Sequence, residues 1–318
     1  MNKELVSFIV PSFNEAPNLV AFYTEFSRVF SQSDYDWELI FVDDGSTDES
    51  FKILSDLSLK SPGITAVQFS RNFGKEAAIW AGLNTAKGDL VGIIDADLQQ
   101  PPCDALAMVD LLVSNPEYDC VAAYQEKRNE GGISASIKNC FYKIMSKMCS
   151  MDMIQNASDF RVFRRSVADA ILSLPESQRF TKGIFAWIGF ETLPYPYTPQ
   201  DRVAGESKWS FRKLVAYAAE GILSFSTAPL KVATVLGLAT SFFALIYCVA
   251  VLLRTLIFGI DVPGYATTIG VVLLLGGIQL MVLGAIGEYL ARDYIQGKQR
   301  PIFIEKKRVC SKRNKDWD

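Results

Sequence analysis

The sequence predicts an α/β protein: a mostly parallel sheet covered by helices on both faces, followed by a hairpin of two membrane-spanning helices. Three observations predict it. Short β-branched-rich runs alternate with helical patterns over the first 125 residues. Polar, turn-forming motifs stand where three of those runs end. Two long uncharged runs follow one another beyond about residue 230.

In chain order, Val6–Val10 reads as a strand, Asn18–Phe30 as a helix, Glu38–Val42 as a strand and Asp48–Leu57 as a helix. Thr65–Phe69, Leu90–Ile94 and Cys120–Ala123 continue the strands, with helices over Glu76–Asn84 and Cys103–Ser114 between them. Strand–helix–strand repetition implies a parallel sheet buried on both faces. In such sheets ligands bind beyond the carboxyl ends of the strands. From about Asn129 to Ala204 the pattern is less regular: Ile137–Met148 and Arg164–Leu174 read as helices, and Pro194–Pro199 as turn-rich and extended. Trp209–Phe225 is basic and amphipathic, which fits a helix lying in a membrane interface or one packed on the domain.

Val232–Leu253 holds 22 residues without charge, about 33 Å as a helix and enough to cross a hydrocarbon core. Val262–Gly287 holds 26 more, after a short connection from Arg254 to Asp261. Lys208, Arg212, Lys213 and Lys231 precede the pair, and nine Lys/Arg against four Asp/Glu follow from Arg292 to Asp318. That asymmetry places both ends in the cytoplasm. The tail itself reads as a solvated segment or as a contact to anionic headgroups. The N-terminus runs straight into a strand with no secretory signal, so the front domain is expected in the cytoplasm. Gly276, Gly277, Gly284 and Gly287 could support helix packing within the hairpin or between protomers of a homo-oligomer.

Composition narrows the chemistry. A net charge of -3 carries no nucleic-acid bias. The chain has no histidine, which removes Ser-His-Asp and Cys-His catalysis and leaves oxygen ligands for any metal. Six cysteines without C-x-x-C spacing fit thiols in a reducing compartment. Asp95-Ala96-Asp97 follows an apolar strand, and two carboxylates at a strand end can both reach Mg²⁺ or Mn²⁺ bridging a nucleotide diphosphate. Gln99, Pro101 and Pro102 make the motif more specific than D-x-D alone. Pro11 is expected to end the first strand, and Asn14 and Glu15 beyond it offer polar side chains for a base or ribose, or a helix cap. At the second, Val42-Asp43-Asp44-Gly45-Ser46 combines a tight turn with a carboxylate acceptor.

VPSFNE, VDDGS, SRNFGKEAA and DADLQQPP together resemble the family-two glycosyltransferases of GT-A (Rossmann-like) fold. SDFRVF (158–163), RFTKGIFAWIGF (179–190), RVAGESKWS (202–210), EGILSFSTAPLK (220–231) and GAIGEYLARDY (284–294) resemble the bactoprenol glucosyltransferase branch, relatives of the dolichol-phosphate mannose synthases. The resemblance implies a nucleotide-sugar donor, a polyprenyl-phosphate acceptor and Mg²⁺ or Mn²⁺ as cofactor. It implies a nucleotide pocket of Pro11, Phe13, Asn14, Glu15, Val42 and Asp44, with Asp95, Ala96 and Arg128 beside the donor. It implies metal and diphosphate binding by Asp95, Asp97 and Gln99, and phosphate clamps at Arg202 and Lys208. Asp97, Asp159 and Arg161 would serve catalysis, the last two where acceptor phosphate meets the anomeric carbon; a structural Asp159–Arg161 salt bridge is the competing reading. Gln125 stands where relatives usually carry Arg or Lys, and Ser158 where close relatives often carry Gly.

The implied organisation is a cytoplasmic catalytic domain over 1–207, an interfacial helix over 208–230, two transmembrane helices over 231–291 and a basic cytoplasmic tail over 292–318. The implied reaction is an inverting transfer of a hexose, glucose from UDP-glucose first, onto undecaprenyl phosphate in the cytoplasmic membrane. Mannose, galactose or an aminosugar are the alternatives, and a catalytically silent nucleotide-sensing scaffold is the rival from another class. A lipid phosphate is already an anionic nucleophile, so no strong general base is required.

Overall fold

The computed structural model describes residues 3–125, 157–174, 176, 179–200, 228–258 and 264–310. The expected helices at Ile137–Met148 and Trp209–Phe225 lie outside the described residues, as do Arg128, Arg202 and Lys208. The chain divides into two compact units, Met1–Tyr217 with Pro301–Asp318, and Ala218–Arg300.

The first unit begins with β1 (Leu5–Ser12), α1 (Ala16–Phe30), β2 (Asp36–Asp43), α2 (Ser50–Lys60) and β3 (Ile64–Phe69). It continues through α3 (Lys75–Thr85), β4 (Leu90–Ile93), α4 (Pro102–Ser114) and β5 (Cys120–Gln125). These nine elements match the expected alternation, with ends displaced by a few residues. Then come β6 (Ala157–Arg164), α5 (Arg165–Ser173), α6 (Thr181–Trp187), β7 (Thr192–Tyr197) and, after the second unit, β8 (Glu305–Cys310). The sheet order is β7-β5-β6-β4-β1-β2-β3-β8. β4, β1, β2 and β3 pair in parallel, whereas β6 and β8 run antiparallel to their neighbours.

Alternation along β1 explains burial on both faces. Val6, Phe8 and Val10 join the large core under α1 and α4, where Phe26 stacks on Phe30 at 4.2 Å and Phe8 meets Phe26 edge-on at 5.2 Å. Ile9, on the opposite face, meets α3 at Gly82, where any Cβ would collide with the Ile9 side chain. Pro11 sits inside β1 rather than ending it. It is tolerated because β4 pairs with β1 only from Val6 to Ile9, so the missing N–H breaks no ladder bond.

β7 pairs with β5 where a turn-rich, extended segment was expected, and two further strands were not foreseen. β6 enters antiparallel between β4 and β5, with Arg161 opposite Ile93 and Ala157 opposite Tyr124. That register carries Asp159 past the last residue of β4, to the carboxyl edge of the parallel strands. β8 comes from the basic tail and adds to β3 with Val309 opposite Ala66. Phe303 stacks on Phe69 at 4.8 Å, Ser70 N–H donates to the Ile304 carbonyl, and Lys307 lies over the Phe51 ring. A Lys/Arg-rich strand at a sheet edge discourages pairing with other chains.

The second unit holds α7 (Ala228–Phe258) and α8 (Tyr265–Gly297), which pack together. Pro229–Phe258 and Gly270–Gly297 have mean hydropathies of 2.4 and 2.2, and both are long and apolar enough to cross a membrane. Leu238, Phe243, Leu280 and Leu283 leave most of their apolar surface uncovered. Among the described residues, a Cβ placed at Gly276, Gly277, Gly284 or Gly287 would meet nothing within 4 Å.

Candidate active site

The strand order reverses between β1 and β4, so the turns after these two strands open a crevice at the carboxyl edge of the sheet. All three strand-end motifs meet there, and β6 adds Asp159.

The turns after β1 and β2 are tied to each other. Asn14, at φ 55°, donates its backbone N–H to Ser46 Oγ at 2.9 Å, and its Oδ1 accepts from the Thr47 N–H at 2.9 Å. Glu15 N–H donates to Ser50 Oγ at 3.0 Å, while its Oε2 accepts from Asn18 Nδ2 at 2.6 Å. Asn14 therefore bridges two loops, and Glu15 holds the start of α1. Phe13 is exposed beside them, and Val42 is fully buried one register step from Asp43.

Asp44 is nearly buried, and its two carboxylate oxygens accept the N–H groups of Phe73 and Gly74 at 2.6 and 2.9 Å. Burial pushes its pKa above the usual carboxylate value, against the pull of those two donors. Each oxygen retains acceptor capacity for a ligand donor. Asp44 thereby ties VDDGS to the Arg71–Gly74 segment, which launches α3 directly into the next part of the site.

Lys75, the first residue of α3, is the junction of that part. Its Nζ lies 2.7 Å from Asp95 Oδ1 and 3.0 Å from Asp159 Oδ2. Burial opposes the charge on Lys75, but Asp159 and Asp95 outweigh it and hold the ammonium well above its ordinary value. Burial likewise opposes the charge on Asp159, yet Lys75, Lys182 and Arg161 hold its carboxyl well below the ordinary range. Arg161 stacks over the Phe185 ring at 4.4 Å, and among the described residues Asp159 pairs with Lys75.

Gln100 fixes the rest of the D-x-D turn. Its Oε1 accepts the Asp95 N–H at 2.8 Å, and its Nε2 donates to Asp95 Oδ2 at 3.0 Å and to Ser158 Oγ at 3.4 Å. Ser158 thus uses a hydroxyl to couple β6 to the turn. Asp97 Oδ1 accepts the Gln99 N–H at 3.1 Å, and Leu98 takes φ 60°. Ala96 is buried, whereas Asp95 and Asp97 on either side of it are partly exposed.

Among the described residues, no three His, Cys, Asp or Glu side chains converge as a ready-made metal cage. Two turn carboxylates do fit Mg²⁺ or Mn²⁺, which commonly take one or two protein carboxylates with the remaining positions filled by phosphate and water. Gln99 lies in the same turn.

Sequence reasoning missed Lys75, Glu76 and Gln100 as site residues, although SRNFGKEAA and DADLQQPP contain them. The signal available was a cation and an amide beside acidic motifs; the partners depend on tertiary contacts. Glu76 accepts from both the N–H (3.0 Å) and the hydroxyl of Thr181, joining α3 to α6. Burial raises its pKa to about 7 despite those donors. Native Glu76 then keeps its proton to higher pH than in the unfolded chain. The stability it contributes is complete below its ordinary value and is lost as pH rises to about 7. Glu76→Gln should abolish up to about 3 kcal/mol of that loss. Melting temperatures at pH 5 and pH 8 check this, the gap between them narrowing in the variant; an unchanged gap contradicts it.

The model of the family described as Glycosyl transferase family 2 matches residues 7–172, and that of the GtrB C-terminal hairpin matches residues 228–292. A prophage bactoprenol glucosyl transferase homolog of Escherichia coli (strain K12) is 37% identical, over 95% of this chain and 98% of its own. The bactoprenol glucosyl transferase of Shigella phage SfV is 38% identical, over 95% and 98%. A solved Mycobacterium tuberculosis glucosyl-3-phosphoglycerate synthase, in complex with Mn²⁺, UDP-glucose and phosphoglyceric acid, aligns with a TM-score of 0.50 and 19% identity. It covers 70% of this chain and 78% of that one, and it is a likeness of fold. With its sheet domain and its hairpin each matched and its relatives aligned almost end to end, the chain belongs to glycosyl transferase family 2.

Proposed function

We propose that this enzyme transfers glucose from UDP-glucose to a polyprenyl phosphate, with inversion at the anomeric carbon, at the cytoplasmic face of a membrane. One observation carries the reading: relatives named bactoprenol glucosyl transferase match this chain across both the sheet unit and the hairpin. The geometry supports it. The crevice gathers the carboxylates of Asp95 and Asp159 around one ammonium, with Asp97 in the adjoining turn, an arrangement suited to handling a cation and phosphates.

Pro11, Phe13, Asn14, Glu15, Val42 and Asp44 would line the nucleotide pocket, with Ala96 beneath the donor. Asp95, Asp97 and Gln99 would hold Mg²⁺ or Mn²⁺, which when bound supplies charge stabilisation for the departing diphosphate. Arg128, Arg202 and Lys208 would contact phosphates of donor or lipid. Asp159 orients the acceptor phosphate or stabilises positive charge on the sugar, and Arg161 supports it electrostatically. The lipid phosphate attacks the anomeric carbon while the bond to UDP breaks, so the electron pair leaves with UDP. The acceptor brings its own negative charge, and no side chain has to remove a proton.

Membrane attachment through two spans gives the lipid phosphate access from the bilayer. The pairing of β8 with β3 after the hairpin supports a reading in which both hairpin ends lie on one side of the membrane. The Lys/Arg excess favours the cytoplasm for that side.

The test incubates membranes containing the protein with Mg²⁺, polyprenyl phosphate and a panel of radiolabelled nucleotide-sugars. Butanol-extractable label from UDP-glucose alone is expected. Label from another donor would reassign the sugar, and no lipid label from any donor would overturn the transferase reading.

A further inference from the structure

Asp95 stands in the turn after β4 and Asp159 on β6, and among the described residues one ammonium bridges them. Lys75 Nζ bridges Asp95 Oδ1 and Asp159 Oδ2, at 2.7 and 3.0 Å, while Asp95 Oδ2 accepts from Gln100. Lys75 is not a loosely placed surface lysine, although its side chain is 41% exposed. It follows Gly74, whose N–H is held by Asp44, so the turn after β2 sets where the ammonium stands.

This arrangement has a consequence for any dication entering the crevice. Asp95 Oδ1 already carries an ammonium, so a divalent ion reaching that oxygen must displace it. We propose that Lys75 is the resident counter-ion of the cleft. Before donor binding its single positive charge offsets part of the combined negative charge of Asp95 and Asp159. When the cation arrives with the donor diphosphate, it yields Asp95 and keeps Asp159. Metal binding is thereby made conditional on the donor, because the cation alone must compete with a charge already in place. Lys75 is a positioning residue on this reading. It keeps two like charges in register and sets the order in which ligands enter. The inference rests on the proposed function for the identity of the incoming diphosphate, but its test requires neither donor nor lipid.

The experiment measures Mn²⁺ binding to the full-length, detergent-solubilised protein by electron paramagnetic resonance, with thermal melting to verify folding. Removing the ammonium leaves two carboxylates without their cation, so Lys75→Met should bind Mn²⁺ about tenfold more tightly than the wild type. Lys75→Gln, which keeps hydrogen-bonding capacity without charge, should move in the same direction, and it serves if the Met variant does not fold. Lys75→Arg should stay within about threefold of wild type, since the charge is retained. A merely structural lysine would give equal or weaker Mn²⁺ binding when removed. Equal or weaker binding in the folded Met and Gln variants would therefore overturn the proposal. Combining Lys75→Met with Asp97→Ala should abolish the gain; a gain that survives lies outside this cleft and also overturns it. Tighter binding in a protein that glycosylates no lipid would sink the proposed function and leave the counter-ion role standing.

Discussion

Asp97→Ala should lower the transfer of label into lipid by about 10³-fold or more, equivalent to roughly 4 kcal/mol of transition-state stabilisation. The expectation follows from where Asp97 stands. It lies in the turn after β4, and its Oδ1 accepts the Gln99 N–H, so the turn itself aims the carboxylate. The Gln99 bond alone is worth on the order of 1 kcal/mol of stability. Asp95 also carries Lys75 and Gln100, so its loss would disturb folding and activity together. Initial rates of lipid labelling, beside melting curves of both proteins, make the measurement. A folded variant that keeps more than about a tenth of the rate would contradict a role for Asp97 in holding the cation and diphosphate.

Gly45→Ala should destabilise the sheet unit by about 2–6 kcal/mol, combining backbone strain with overpacking. Gly45 takes φ 69°, and its N–H donates to the Asp43 carbonyl in the tight turn after β2. A Cβ there would stand 2.8 Å from both the Arg71 carbonyl oxygen and the Asn72 nitrogen, which are backbone atoms and cannot rotate away. The displaced segment is the one that gives Asp44 its Phe73 and Gly74 donors and then leads to Lys75. Gly74 provides the comparison. It has φ 98°, but a Cβ there meets nothing within 4 Å, so Gly74→Ala should cost only the conformational term of about 1–3 kcal/mol. Denaturant unfolding of the two variants should place Gly45→Ala clearly below Gly74→Ala. The reverse order would mean that the approach of residues 71–72 to the turn is not what requires glycine at position 45.

The parallel half of the sheet was legible because each strand carries its own signal. Phe8–Val10, Leu39–Val42 and Val91–Ile93 are continuous apolar runs buried on both faces, and each is followed by a helix of the right period. The hairpin was legible for the same reason, since uncharged length alone reports it. β6 was not. Asp159-Phe160-Arg161-Val162 alternates as a strand should, but nothing local states that it enters antiparallel between β4 and β5. β8 was hidden more deeply. Glu305-Lys-Lys-Arg looks like a solvated tail, and its strand character comes from pairing with β3 and from Phe303 against Phe69, contacts made across more than 230 residues. The candidate site divides in the same way. Asp95, Asp97 and Asp44 could be picked out by residue type and position, and Asp159 by the resemblance of SDFRVF to a known family. Lys75 and Gln100 acquire their roles only from where α3 and the D-x-D turn meet, and one-dimensional spacing does not encode that meeting.

The most direct measurement is the nucleotide released by purified protein supplied with UDP-glucose, Mg²⁺ and polyprenyl phosphate. Attack of the lipid phosphate on the anomeric carbon leaves the whole diphosphate with the nucleoside, so UDP should appear in equal amount with lipid-linked glucose and only when the lipid is present. Release of UMP instead would mean that a glucose phosphate had been transferred. The reading of this cleft as a glycosyl-transfer site would then be contradicted.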